Sequence, residues 1–342
     1  MTTHTALPAR ADRPPSGTGR MRAVVQNRYG SADVLRLEQR PTPSIADDQV
    51  LLAVHAAGLD RGTWHLMTGK PYAGRLAFGI RRPTNPVPGL DVAGTIIAVG
   101  PIVTTFAVGD EVFGFARGAL AEYAVASPAK LAPKPATLTH TQAAAVPLSA
   151  ATALQAMTDI GRAEAGQTVL VIGASGGVGS YAVQIAKALG ASVTGVCGPS
   201  KADLVRSLGA DRVIDYTRDD FADGAHHYDL ILDIGGNPAL SRLRRALTPS
   251  GTAVIVGGER GGNLTGGMNR QLTALALSPF LRQRLTMFIA QQRASDLERL
   301  SDLIDSGAVT PPIDRSYPLA QTPEAMRYLA AGKARGKVVV TI

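Results

Sequence analysis

A single cysteine, Cys197, stands in 342 residues. That scarcity excludes an intrachain disulfide framework and a zinc cluster built from several thiolates. Long apolar runs are missing too: nothing approaches the roughly 20 consecutive apolar residues of a membrane span, and no charged-then-apolar leader precedes the ordered text. We therefore expect a soluble, cytoplasmic chain with no membrane partner. Aromatic residues make up only 5%, and they are not interleaved with the basic ones. The formal charge of +8, from 35 Lys and Arg against 27 Asp and Glu, would suit a polyanion through counterion release. The charge is dispersed, however. Arg10, Arg13, Arg20 and Arg22 lie in or beside the first twenty residues, and the others sit among acidic neighbours. Nucleic acid is not the expected partner; solubility and attraction of small anions account for the balance.

What is abundant is apolar. Hydrophobic residues make up 45% of a chain longer than one core usually serves, which points to two domains. Residues 1–20, MTTHTALPARADRPPSGTGR, lack large apolar side chains and read as a disordered leader. Over 21–147, short β-rich runs separated by Gly and Pro (MRAVVQ, QVLLAVHAAG, VAGTIIAVG, DEVFGFA, AEYAVA) predict a small all-β barrel or sandwich. Residues 143–160 read as one helix crossing a boundary. Residues 148–294 then alternate. TVLVIG precedes a helix over 178–189, SVTGVC one over 201–208, RVIDY and DLILDIGG one near 239–247, and TAVIVGG follows, with RQRLTMFIA (282–290) a further strand. Strands separated by helices of that length make an α/β fold with a doubly wound parallel sheet. Residues 295–342, a helix over 295–306 and the run KVVVTI, have no βαβ partner left and are expected back in the first domain.

The segment VLVIGASGGVGSYAVQIAK, residues 169–187, carries the chemistry. It reads strand, tight turn, helix, with Ala182, Ile185, Ala186 and Leu189 at helical spacing. Gly173, Ala174, Ser175, Gly176, Gly177, Val178 and Gly179 come one residue short of a dinucleotide fingerprint, in which bare backbone approaches a pyrophosphate at a helix N-terminus. The same letters also spell G-x-S-x-G, the nucleophile elbow of hydrolases, centred on Ser175. A hydrolytic triad needs a later acid and then a histidine, yet the last histidines, His226 and His227, precede DLILDIGG, and no HGGG-like loop lies upstream. The cofactor is therefore the expectation, with Ser175 a turn residue or phosphate donor. An NAD site would place a carboxylate about 20 residues past the glycines. This chain has Cys197-Gly198-Pro199-Ser200-Lys201 there. A hydroxyl and an ammonium suit a 2′-phosphate, with Tyr216 a further donor, so NADP is the expected cofactor, as NADPH.

The text from Met21 onward resembles the medium-chain dehydrogenase/reductase superfamily, and within it the zinc-independent quinone oxidoreductase branch that includes zeta-crystallin-like proteins. The resemblance rests on VPGLDVAGTIIAVG (87–100), VGDEVFGFA (108–116), GALAEYAVA (118–126), AAAVPLSAATALQAM (143–157), GASGGVGSYAVQIAKALGA (173–191), RSLGADRVIDY (206–216) and GKARGKVVV (332–340). It implies a GroES-like barrel built from both chain ends, a Rossmann domain between them, an NADPH cleft at the junction, and often a homodimer joined through the Rossmann sheets. It also implies that Gly173 to Gly179 hold the pyrophosphate, Lys201 and Tyr216 the 2′-phosphate, and that Thr152, Gly257 and Gly258 lie near the nicotinamide. Asp60 stands at the active-site mouth where related enzymes often carry asparagine, as a proton source or a turn residue, with Trp64 and His65 as pocket walls. Zinc relatives place cysteine at the position of Asp60 and a His-Glu pair at Leu90-Asp91; His55 and His65 lack a third partner, so no metal is expected. The implied activity is hydride transfer to a quinone or an α,β-unsaturated carbonyl compound, a small-molecule substrate. The alternatives are an enoyl-thioester reductase and a nucleotide-bound Rossmann protein acting on RNA or a partner protein.

Overall fold

The computed structural model describes residues 19–257 and 262–342. The expected leader lies almost wholly outside the described residues, and its last residue, Arg20, already belongs to a strand. Strands β1 (Arg20–Val25), β2 (Arg36–Pro41) and β3 (Val50–Leu59) lead to helix α1 (Arg61–Thr68) and the short α2 (Arg75–Phe78). Then come β4 (Asp91–Val99), β5 (Glu111–Phe115), β6 (Tyr123–Ala126), β7 (Leu131–Pro133), α3 (His140–Ala144) and α4 (Pro147–Gln155). The alternating part holds β8 (Thr168–Ile172), α5 (Gly177–Ala188), β9 (Ser192–Cys197), α6 (Ala202–Ser207), β10 (Arg212–Asp215), β11 (Tyr228–Asp233), α7 (Leu240–Ala246), β12 (Leu247–Ile255), α8 (Met268–Leu277) and β13 (Arg284–Met287). Helix α9 (Ala294–Asp305), β14 (Ile313–Pro318), α10 (Thr322–Ala330) and β15 (Lys337–Thr341) complete the chain.

The expected single helix over 143–160 is instead two helices and a π-turn over Ala156–Ile160. Pro147 is the cause: it has no N–H for a helical bond to Ala143, and its ring opens α4 at the first position, where neither defect costs anything. Among the described residues, strands β1 and β2 form a two-stranded sheet of their own, and a bridge from Ala23 to Ala121 fastens it to the rest. The larger sheet of this half runs β14-β15-β3-β4-β5-β7, with β6 also on β3. The C-terminal strand β15 therefore lies directly against β3, antiparallel, with Val338 opposite Leu59.

The second sheet is wholly parallel and runs β10-β9-β8-β11-β12-β13. Numbered from β8, that order is 3-2-1-4-5-6, the Rossmann order, whose reversal between β8 and β11 opens a crevice at the strands' carboxyl ends. One apolar cluster joins the two sheets: Phe113 and Phe115 of β5, the alanines of α3 and α4, Val169 and Val171 of β8, and Leu297 and Leu300 of α9. Tyr181 lies buried within it and donates its hydroxyl to Ala145 O at 3.1 Å. The crevice thus has a fixed wall beneath it.

Candidate active site

The glycine turn follows β8 and opens α5. Gly173 has φ +88°, a left-handed conformation that a side chain strains, and a Cβ there would sit 3.1 Å from Gly235 N. At Gly179 an added Cβ would lie 2.1 Å from Gly173 O and 2.8 Å from Ala174 Cα, so that glycine lets helix and strand approach. Gly176 is different: its backbone is extended and, among the described residues, its missing Cβ would meet only Gly173 O, at 3.5 Å. It leaves open space at the head of a twelve-residue helix that no side chain caps. The first N–H groups of such a helix and its positive dipole end are an anion site.

Beneath Gly177 lies a charge network that sequence reasoning missed. A Cβ on Gly177 would meet Ser149 Oγ at 3.1 Å and Lys337 Cδ at 3.3 Å. Lys337, 1% exposed, donates to Ser149 Oγ at 2.9 Å and lies 3.5 Å from Asp91 Oδ2. Asp91 is fully buried and also accepts from Leu148 N at 3.1 Å. Burial and the neighbouring Asp60 push its carboxyl well above the usual range, and Lys337 pulls it partly back. Nothing in the local text of Leu90-Asp91 or of KVVVTI announces this pairing, because it joins two strands from opposite ends of the chain.

At the end of β9 the structure brings Ser200, Lys201 and Tyr216 into one region. A Cβ on Gly198 would be 3.4 Å from the Tyr216 hydroxyl, and the Tyr216 side chain is exposed. Lys201 Nζ donates to Gly332 O at 2.8 Å and Ala334 O at 2.7 Å. Arg335, not expected from the sequence, donates to Ser200 O at 3.3 Å and pairs with Asp203 at 2.6 Å. The next residue, Gly336, donates its N–H to Ser175 O at 2.9 Å. Segment 332–337 is thereby fastened along the whole rim of the turn. Its run of alternating Lys, Arg and Gly was the available signal.

Thr152, one turn after Ser149 on α4, is buried and donates to Leu148 O at 2.6 Å. Gly257 follows β12, and a Cβ there would lie 2.7 Å from Ile234 O. Gly258 lies outside the described residues. Also unforeseen is Asp233, the last residue of β11, fully buried and 2.6 Å from Arg270 Nη2. Burial pushes its carboxyl up to about 6 against the opposing pull of Arg270. Arg270 stands on α8, a helix without a clear apolar stripe in the sequence because Met268, Leu272 and Leu275 face solvent.

Asp60 caps α1, its Oδ1 accepting from Thr63 N at 2.7 Å, while its Oδ2 is buried without a hydrogen-bond partner among the described residues. Trp64 packs against the barrel core, with the His65 ring edge-on at 5.1 Å and the Arg61 guanidinium over its face. His65 Nδ1 bonds Lys70 O. Both rings are therefore engaged in holding α1 and the chain that leaves it. Above them Tyr72 N donates to Asn263 O at 2.8 Å and Ala73 N to Leu264 O at 3.1 Å, so the loop after α1 bridges the cleft to the far domain.

The hydrolase geometry is not met. Among the described residues the non-glycine positions with positive φ are Arg162 and Asn237, so Ser175 lacks the strained backbone of an elbow. His226 and His227 precede β11, at the opposite end of the parallel sheet from Ser175. His55 bonds Thr95 Oγ1 and stacks near His140, away from α1's His65 contacts. Among the described residues no three His, Cys, Asp or Glu side chains gather with metal-binding geometry.

Residues 46–136 match the alcohol dehydrogenase GroES-like domain and residues 208–340 the family described as zinc-binding dehydrogenase. The mitochondrial NAD(P)H oxidoreductase RTN4IP1 of Mus musculus is 34% identical, across 94% of this chain and 89% of its own. The chloroplastic NADPH-dependent alkenal/one oxidoreductase of Arabidopsis thaliana is 35% identical, across 94% of this chain and 79% of its own. The structure of the quinone oxidoreductase from Coxiella burnetii superposes with a TM-score of 0.84 at 27% identity, covering 95% of this chain and all of that one. With the Rossmann strand order, the GroES-like half and relatives that span nearly its whole length, the chain belongs to the medium-chain dehydrogenase/reductase superfamily, in its quinone oxidoreductase-like branch.

Proposed function

We propose that this protein is an NADPH-dependent oxidoreductase that passes hydride to quinones or α,β-unsaturated carbonyl compounds. The observation that carries the reading is the crevice itself: an uncapped helix head with an open face at Gly176, beside a β9 end followed by Ser200 and Lys201 in place of a carboxylate, with Tyr216 and Arg335 brought up to it from other segments. Those residues fit NADPH, the glycine turn taking the pyrophosphate and the cationic strand end the 2′-phosphate. When bound, the cofactor supplies a hydride from nicotinamide C4 to an electron-poor carbon of the substrate. The protein's part is to orient and to move a proton. Asp60 Oδ2, the one oxygen of that carboxyl not committed to capping α1, is the candidate to exchange the proton that accompanies hydride transfer. Names of relatives that reduce quinones, alkenals and enones support the substrate class.

The reaction in this reading needs no zinc. Leu90 offers no donor atom, Asp91 is engaged by Leu148 N and Lys337, and Asp60, among the described residues, keeps a single oxygen free, so the positions of the zinc relatives' ligands make a poor tetrahedral set. The protein works as a homodimer: β13 is the outer strand of the parallel sheet, and Phe280 and Ile289 beside it are 86% and 81% exposed. Phe280→Asp should convert a dimer to monomer in light scattering. The test of the whole reading is oxidation of NADPH and of NADH by purified protein with simple quinones, free enones and acyl-thioesters. Turnover with NADPH and the first two classes is expected. Equal use of both cofactors, or turnover with acyl-thioesters alone, would overturn it.

A further inference from the structure

The wall of the crevice on the β11–β12 side is almost bare backbone. Gly235 lies against Gly173, its absent Cβ 3.7 Å from Gly173 Cα; Gly236 has φ +107° and, among the described residues, nothing within 4 Å of its Cβ position; Gly257 rests on Ile234 O. Such a wall admits a flat ring closely; Ile234 and Val256 pack toward the core, but the glycines beside them have no side chains to hold them, and glycine is the residue with the most backbone freedom to lose. The glycines need a further anchor.

Arg270 is placed to do so. Its Nη2 donates to Asp233 Oδ2 at 2.6 Å and to Gly257 O at 3.4 Å, and its Nη1 to Pro238 O at 2.8 Å. One rigid guanidinium fork thereby ties the end of β11, the loop that follows it and the end of β12. Asp233 in turn accepts on its backbone oxygen from Val256 N at 2.9 Å and Gly257 N at 3.3 Å, closing the frame. Stability alone does not account for this arrangement, since an apolar pair of similar volume usually serves a core as well as a buried ion pair does. A planar fork with fixed donor directions, by contrast, specifies where three carbonyl and carboxylate oxygens must lie.

We propose that Arg270, oriented by Asp233, is a positioning residue for the hydride-donating ring: it holds the glycine wall of Ile234–Gly236 and Gly257 at the register hydride transfer needs. The proposal rests on the NADPH reading above. It predicts that loosening the frame spares cofactor affinity, which comes from the pyrophosphate and 2′-phosphate ends, and damages the chemical step, where a misplacement near 1 Å costs about a hundredfold.

The experiment compares wild type with Arg270→Lys, Arg270→Met and the charge-free pair Asp233→Asn/Arg270→Gln, which leaves no buried charge stranded. Three measurements are made on each: NADPH dissociation by calorimetry, kcat with a quinone, and the face of the nicotinamide from which deuteride is delivered. The expected result is a dissociation constant within threefold of wild type throughout, kcat down by about a hundredfold in Arg270→Met and the pair, partial recovery in Arg270→Lys, and mixed deuteride stereochemistry in the impaired variants. Wild-type kcat and stereochemistry in the charge-free pair would overturn the positioning role while leaving the NADPH reading intact. A fall in affinity and kcat together, in step with earlier melting, would overturn it as well, marking a merely structural contact. Failure of wild type to bind NADPH would overturn both.

Discussion

Gly176 and Gly179 are three residues apart in one motif, yet the structure gives them separable physical tasks, and alanine at each should fail differently. At Gly179 the new methyl carbon would lie 2.1 Å from Gly173 O and 2.8 Å from Ala174 Cα, both backbone of the turn. Neither neighbour can rotate away, so α5 must lift from β8 by about 1 Å. Overpacking of this kind costs about 3 kcal/mol. Alanine in place of glycine in a helix returns about 1 kcal/mol. A net loss of about 2 kcal/mol lowers the melting temperature by about 4–8 °C in a cooperative unit of this size. At Gly176 φ is −85°, which any residue adopts, and the methyl would, among the described residues, meet only Gly173 O at 3.5 Å. Folding should lose under about 1 kcal/mol, the cost of alanine at a helix cap. Ligand binding should lose more. The methyl occupies the approach to the helix head and displaces at least one charge-assisted hydrogen bond, worth about 1.5–3 kcal/mol, or roughly tenfold to a hundredfold in NADPH affinity. Scanning calorimetry without ligand and fluorescence titration with NADPH separate the two effects. If Gly176→Ala binds NADPH like wild type, the open face is not the pyrophosphate site. Unchanged melting of Gly179→Ala would refute the packing argument.

At the other end of the cofactor, Lys201→Ala and Arg335→Ala should each raise the NADPH Michaelis constant about tenfold or more and leave the NADH value nearly unchanged, since a charged hydrogen bond contributes about 1.5–3 kcal/mol; parallel losses for both cofactors in steady-state kinetics would remove them from the 2′-phosphate. Asp60→Asn keeps a good cap for α1, so the melting temperature should hold while kcat for enone reduction falls at least about tenfold; an unaltered kcat would leave Asp60 a cap and nothing more. Lys337→Met should cost about 3–5 kcal/mol in urea unfolding by stranding Asp91, and adding Asp91→Asn should recover most of it; equal losses in single and double variants would contradict a coupled pair. Asp233 is held at about 6 in the fold against 3.8 for an ordinary aspartate, so the folded state binds its proton more tightly. That contribution is complete below pH ~4 and lost as pH rises through about 6, so wild type should lose about 3 kcal/mol relative to Asp233→Asn across that window. Parallel stability curves for the two proteins would show that the carboxyl is not perturbed.

Elements that repeat a short physical pattern were legible in the sequence. The run TVLVIG, the turn after it and the apolar spacing of Ala182, Ile185 and Ala186 specify β8 and α5 by local rules, and the missing acid after β9 is a property of five consecutive residues. Strands β2 and β14 were not seen because RLEQRP and IDRSYP lie at sheet margins with mixed exposure and carry little alternation. The break at Pro147 was written in the text and overridden by the surrounding alanines. Asp233 with Arg270 and Asp91 with Lys337 were out of reach for a different reason. Each pair is made by tertiary approach of segments distant along the chain, and a buried charge leaves no periodic trace that distinguishes it from a solvated one.

The position of β15 bears on how the molecule is made. All six strands of the parallel sheet are contiguous in the chain, between Thr168 and Met287, so that half can close on itself as it leaves the ribosome. Its neighbour cannot, because β3 waits for a partner about 280 residues downstream, a closure costing about 5 kcal/mol of chain entropy unless the intervening half has already collapsed. Order of assembly follows: the parallel half first, shortening the effective tether, then the last strand snapping in beside β3. Residues 332–337, which line the rim of the glycine turn, arrive with that strand. A nascent chain halted before them would have a folded nucleotide fold with half a rim, and a β3 edge open to pairing with other chains.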